Sequence, residues 1–461
     1  MNMGLVGTVE GMARRGSTMA AGAVILVGLL TGVGWAIGSR GEVRQDTPNQ
    51  PDTTVPATAE SEEAGTEPSG LSVYPQVEPG KPLNLPPLEI NIDEWVTQEV
   101  PVNMTGVLWV QGKPTDVSTG VFENETQKSL YEDLAGCFPA READPKPEEL
   151  NAAKASCFDR KAVEIAASTP DPTDAFMALR GLSLARPDVF TLCHNASHKV
   201  GEIALRRLFA VRGADYETMY RYIQTGAIAC QGGLVHGVYD ALGKMKLTVE
   251  EFEPAVKACE RNLQLAGQCS DAVGHASWDS FGEVPSTLKV CSYWGQTWAQ
   301  QTCVEGVLMR MYQRLEPTDP FYSGAVKGAE ADRFIRKTAA ICLDWPDAEV
   351  ANLLADPKTL CYQGMPYLLV KPILHLTETN GGNYALVKTE AKRLVGEIVK
   401  ACGEYGEGST YCTDRLSYYL LGATVFDVEE VAILCEVIPQ NRETCVGQAE
   451  EKLANAEKGL G

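Results

Sequence analysis

The chain has 461 residues, 44% hydrophobic and 22% charged, an ordinary globular mix that excludes a collagen-like, wholly disordered or many-span membrane protein. Forty Lys and Arg stand against 61 Asp and Glu, a formal charge of −21. Such a surface repels phosphate backbones and no basic patch offsets it, so nucleic acid is not an expected partner.

In chain order, residues 1–17 lead into TMAAGAVILVGLLTGVGWAIG at 18–38, 21 residues without a charge. That is enough helix to cross about 30 Å of hydrocarbon. A cleaved signal peptide is the rival reading. The run is longer than a usual signal core and no clear A-x-A site follows, so an uncleaved transmembrane anchor is preferred. Arg14 and Arg15 before it nearly balance Arg40 and Arg44 after it, so flanking charge says little about orientation. The cysteines say more. All 14 lie between Cys137 and Cys445, and disulfides persist in oxidising compartments. The expectation is a single-pass plasma-membrane protein, residues 1–17 cytoplasmic and the C-terminal domain periplasmic or extracellular.

Residues 39–90 read as a disordered tether rich in Pro, Thr and Glu, with nine prolines between 43 and 90. Residues 91–127, with alternations such as VNMTGVLWV, predict a short extended or β-like arm.

From 128 to 461 the apolar spacing is helical, and segments align on cysteine. CHNASHKVGEIAL begins at Cys193, CQGGLVHGVYDAL at Cys230, CSDAVGHASWDSF at Cys269 and CVEGVLMRMYQRL at Cys303. Further copies start at Cys361, Cys412 and Cys445, with a degenerate one at Cys157. From Cys193 onward the intervals are 37, 39, 34, 58, 51 and 33 residues, which suits a pair of helices per unit. The fold class predicted is all-α: tandem helical hairpins in an α/α superhelix or a closed toroid. Gly233, Gly306 and Gly364 stand three after their cysteines, where a small residue lets one helix press on the next.

Most copies have a second cysteine shortly before. This predicts Cys137–Cys157, Cys259–Cys269, Cys291–Cys303, Cys342–Cys361, Cys402–Cys412 and Cys435–Cys445, each tying a helix end to the next helix start. Cys193 and Cys230 remain and pair with each other. No C-x2-C or C-x4-C knuckle occurs, which disfavours a cysteine zinc site, and without C-x-x-C-H no c-type haem is expected. No P-loop, G-x-S-x-G or H-E-x-x-H is present, so neither a nucleotide cofactor nor those hydrolase classes is indicated.

Four of the five histidines fall between 194 and 275. His236 and His275 stand six after their cysteines and His198 five after; Glu202, Asp240 and Asp279 follow them by four. Residues four apart share a helix face, so His194, His198 and Glu202 form one line, and stacking of neighbouring units should bring equivalent positions together. Three imidazoles and three carboxylates would then converge on a divalent metal, zinc or iron. The bland alternative is a set of same-face pairs worth about 0.3–0.5 kcal/mol each. Later units carry Met309, Tyr367 and Tyr418 at the histidine position and Gln313, Lys371 and Gly422 at the carboxylate position. The pattern is therefore local to three units, which favours a site over a building rule. GGLVHG around His236 is similar to the G-x-x-H-G element of lanthionine cyclase-like proteins, toroids that hold zinc through two cysteines and a histidine. The likeness covers six residues. No Trp-Cys pair occurs and Cys193-His194 precedes the element without a following glycine, so no family is assigned.

Trp278, Tyr293, Trp294 and Trp298 gather beside the third and fourth units. Exposed, they would form an aromatic binding surface; buried, they are core. Two functions follow as expectations. One is a membrane-held binding or scaffold domain for protein, peptide or envelope polymer. The other is a metal-dependent hydrolase built on the histidines and carboxylates.

Overall fold

A computed structural model describes residues 121–138 and 152–457, with breaks at 187–189, 227–229, 316–327, 348–349, 380–383, 424–427 and 439–441, together with Ile92 and Val117. The expected anchor at 18–38 and tether at 39–90 lie outside the described residues, as does the arm up to 120 apart from Ile92 and Val117. Among the described residues no helix is long and apolar enough to cross a membrane.

The described residues are all-helical, without a strand among them. Seventeen α-helices follow in order: α1 (Glu125–Ala135), α2 (Ala152–Ser168), α3 (Pro172–Ala185), α4 (Phe190–Arg212), α5 (Tyr216–Gly226), α6 (Gly233–Lys244), α7 (Val249–Glu260), α8 (Leu263–Phe281) and α9 (Val284–Cys291), then α10 (Thr297–Leu315), α11 (Ala329–Leu343), α12 (Pro357–Leu369), α13 (Lys371–Thr379), α14 (Tyr384–Gly403), α15 (Ser409–Ala423), α16 (Val428–Leu434) and α17 (Arg442–Glu457). Helix starts carry side chains that satisfy the orphan amides of the first turn. Asn124 accepts from the Gln127 amide at α1, Asp171 precedes Pro172 at α3, and Asp356 precedes Pro357 at α12. Thr248 and Glu251 bond reciprocally at α7.

The helices pack in two rows. In the first, α2 rests on α4, then α4 on α6, α6 on α8, α8 on α10, α10 on α12, α12 on α15 and α15 on α17. In the second, α1 meets α3, α3 meets α5, α5 meets α7 and α7 meets α9; beyond the break, α11 meets α14 and α14 meets α16. Helix α6 is buried along its whole run from Gly233 to Gly243, between α4 and α8. One apolar core runs from Leu134 to Ala449.

All seven expected disulfides are present, and no cysteine is free. Their Cα–Cα distances run from 5.1 to 6.3 Å. Six join the end of a second-row helix to the first turns of the next first-row helix. The seventh, Cys193–Cys230, links the starts of two first-row neighbours, α4 and α6. The small residues after the cysteines have the close approach expected of them. A Cβ on Gly233 would run into Ser197 Oγ and the His194 carbonyl, and one on Gly306 into the Asp271 carbonyl. Backbones of α4 and α6, and of α8 and α10, are thus nearly in contact, and this sets the spacing of the side chains at their faces.

Candidate metal centre

Three adjacent first-row helices supply four imidazoles. Helix α4 carries His194 and His198, α6 carries His236 and α8 carries His275. Their rings form a row: centroids lie 4.8 Å apart for His194–His198, 5.2 Å for His198–His236, 5.6 Å for His194–His236 and 5.3 Å for His236–His275.

The hydrogen bonds fix the tautomers of the first two. His194 Nδ1 lies 3.0 Å from the Cys230 carbonyl oxygen, which only accepts, so this nitrogen carries the proton and donates. Cys230 holds a left-handed φ of 51°, unusual for a residue with a side chain, and is covalently tied to Cys193 beside His194. His198 Nδ1 donates to Asp240 Oδ2 at 2.8 Å. Both rings, when neutral, therefore have their lone pair at Nε2, and the two Nε2 atoms face each other at 3.1 Å. Two lone pairs so placed repel unless a cation lies between them, either a proton or a metal ion. Two nitrogens bound to one tetrahedral zinc at 2.0–2.1 Å lie about 3.3 Å apart. The observed separation is close to that.

His236 and His275 are 4% and 2% exposed. Burial, and then the neighbouring His198 and His275, hold His236 well below the usual imidazole range; burial, and then Arg310, do the same to His275. Both are thus neutral at pH 7, the form that ligates metal. His236 Nε2 and both ring nitrogens of His275 have no hydrogen-bond partner among the described residues. The Asp271 Oδ2 atom lies 3.4 Å from His236 Nε2 and 3.7 Å from His275 Nε2. Burial, and then the nearby Glu305 carboxylate, push the Asp271 carboxyl up to about 8.

Among the described residues two groups could hold a metal ion. His194, His198 and His236 make one, and His236, Asp271 and His275 the other; within each, three ligand atoms lie within 4.8 Å of one another. The carboxylates singled out in the sequence sit differently. Asp240 supports His198 from behind and meets Arg310 at 3.2 Å. Burial raises its carboxyl, but Arg310 and His198 outweigh that and hold it well below the carboxylate range. Glu202 turns to Lys244 at 2.6 Å and Arg206 at 3.7 Å, and Asp279 turns to Arg310 at 2.9 Å. Neither joins the imidazole groups. Asp271 was not anticipated, although two signals mark it. It stands four before His275, on the same helix face, and two after Cys269, as Glu305 stands two after Cys303.

The aromatic set does not form one open surface. Trp294 is 1% exposed and belongs to the core, its carbonyl accepting from Gln300 Nε2. Trp278, Tyr293 and Trp298 are half-buried and packed against that core. Apolar area of this size is withdrawn from water wherever the neighbouring helices can cover it.

Comparison of the chain with protein-family models, with curated proteins and with solved structures finds no match.

Proposed function

We propose that this is a membrane-anchored protein that displays tandem, disulfide-stapled helical hairpins outside the cytoplasm and binds a divalent transition metal through His194, His198 and His236. The helical surface around the centre presents to a protein, peptide or envelope polymer. The observation that carries the metal reading is the 3.1 Å approach of two Nε2 atoms whose partner nitrogens are both committed as donors. A carboxylate behind a ligating histidine is the usual means of fixing ring orientation, and Asp240 has that place. Three imidazole nitrogens suit zinc or iron. Seven disulfides support an oxidising location, and the uncharged run at 18–38 supports the anchor.

A second reading, a metal-dependent hydrolase, is favoured by one feature. The His198 side chain is 25% exposed, so a fourth tetrahedral position can face solvent. Zinc bound there would supply an acidified water.

Elemental analysis of full-length protein, purified in detergent without chelators, tests the metal reading. The expected result is about one zinc per chain, bound more weakly in His198→Ala and lost in His236→Ala while circular dichroism and cooperative melting persist. Protein that arrives metal-free and takes up neither zinc nor iron(II) overturns it.

A further inference from the structure

We infer that His236, Asp271 and His275 form a second, buried position for a divalent cation, behind the exposed one and sharing His236 with it. This rests on the metal reading above and adds a place where the ion is retained. Three observations converge. The ligand atoms of the three side chains lie within 4.8 Å of one another. His236 Nε2 and both nitrogens of His275 are unpartnered, although their residues are more than nine-tenths buried. A buried polar atom left without a partner costs about 1–3 kcal/mol, so such atoms are normally satisfied by protein, water or an ion. Finally, a carboxylate oxygen stands 3.4 and 3.7 Å from two imidazole nitrogens without a hydrogen bond to either, a gap that one cation between the three atoms would close.

Charge favours an ion over a water molecule at this point. Asp271 feels the charge of Glu305, which is 2% exposed and accepts from Tyr419 Oη at 2.6 Å, as well as that of Asp240 and of the cations Lys371 and Arg310. A dication between Asp271 and the two rings holds the buried side chain as a carboxylate; a water does not. The two positions also differ in kind. The outer one offers three nitrogens, two of them on partly exposed, hydrogen-bond-locked rings. The inner one offers two nitrogens on buried rings and one oxygen of a side chain 13% exposed, a donor set suited to iron(II) as well as zinc. The outer position captures and the inner one holds.

Cobalt(II) release separates the two. Full-length protein in detergent is loaded with cobalt(II), then mixed with excess EDTA, and loss of the visible absorption is followed. Wild type is expected to release cobalt mainly in a slow phase. Asp271→Asn and His275→Gln are expected to bind cobalt still, with a shifted visible band and release at least about 10-fold faster, since loss of a ligand or its support commonly weakens a site 10–100-fold. Two near-isosteric variants are used so that one folded protein suffices, judged by its melting transition. Wild-type release rates and an unchanged band in either folded variant overturn the inner position. If His194→Ala or His198→Ala then still abolishes binding, the outer site stands alone. If wild type binds no cobalt, both readings fall together.

Discussion

Asp240 shows how much one side chain decides. Its two oxygens face different partners: Oδ2 accepts from His198 Nδ1 at 2.8 Å and Oδ1 meets Arg310 at 3.2 Å. The first bond sets which His198 nitrogen carries the lone pair, and so whether that ring can ligate at all. Asp240→Asn keeps the shape but weakens the bond and removes the charge. Metal affinity, measured by competition with a chromophoric chelator, should fall about 10-fold or more. Unchanged affinity would show that Asp240 does not orient the ring. The same scale explains which site residues could be read in advance. The histidines were legible because their spacing from the cysteines repeats. Glu202 and Asp279 have the same spacing but are claimed by Lys244 and Arg310, 42 and 31 residues away along the chain. Those partners sit on neighbouring helices, so no local pattern announces them.

At the scale of elements, the row of rings exists because helix α6 lies unusually close to α4. Gly233 permits this, since a Cβ there would meet Ser197 Oγ and the His194 carbonyl. Cys193–Cys230 bonds the two helix starts at the same level. Gly233→Ala must push the helices apart, a strain of about 1–3 kcal/mol or more in a packed interior. Thermal unfolding should show that loss, and zinc affinity should fall with it because His194 and His236 separate. A variant that is destabilised yet binds zinc as tightly as wild type would uncouple the helix contact from the site. The aromatic cluster is settled at this scale too. Whether Trp294 is surface or core depends on which helices cover it, not on its neighbours in sequence.

For the whole molecule, the sulfur bonds are the main constraint beyond packing. Six of the seven close loops of 10 to 20 residues and one closes 37. A loop of this order is worth about 3 kcal/mol in the chain-entropy view, although contributions within one domain do not simply add. Oxidised protein is therefore expected to melt roughly 20 °C or more above protein unfolded and held in strong reductant. Coincident melting curves would mean that helix packing alone carries the stability. Because Cys193–Cys230 borders His194, metal binding should weaken on reduction before the helical signal disappears.

The amino-acid sequence by itself pointed to the helical class and to the cysteine pairing that the structure shows. Helical periodicity and short cysteine intervals are local properties, and short loops bring their own ends together. It also placed His198, His236 and His275 at similar offsets from their cysteines, and α4, α6 and α8 bring these rings together. Only the tertiary structure decided which carboxylate joins them. That choice depends on desolvation and on cations delivered from other helices: Lys244 and Arg310 draw Glu202 and Asp279 away, while Asp271 is left between two imidazoles. Charges compete through space, and which of them come within a few ångströms is set by packing rather than by position along the chain.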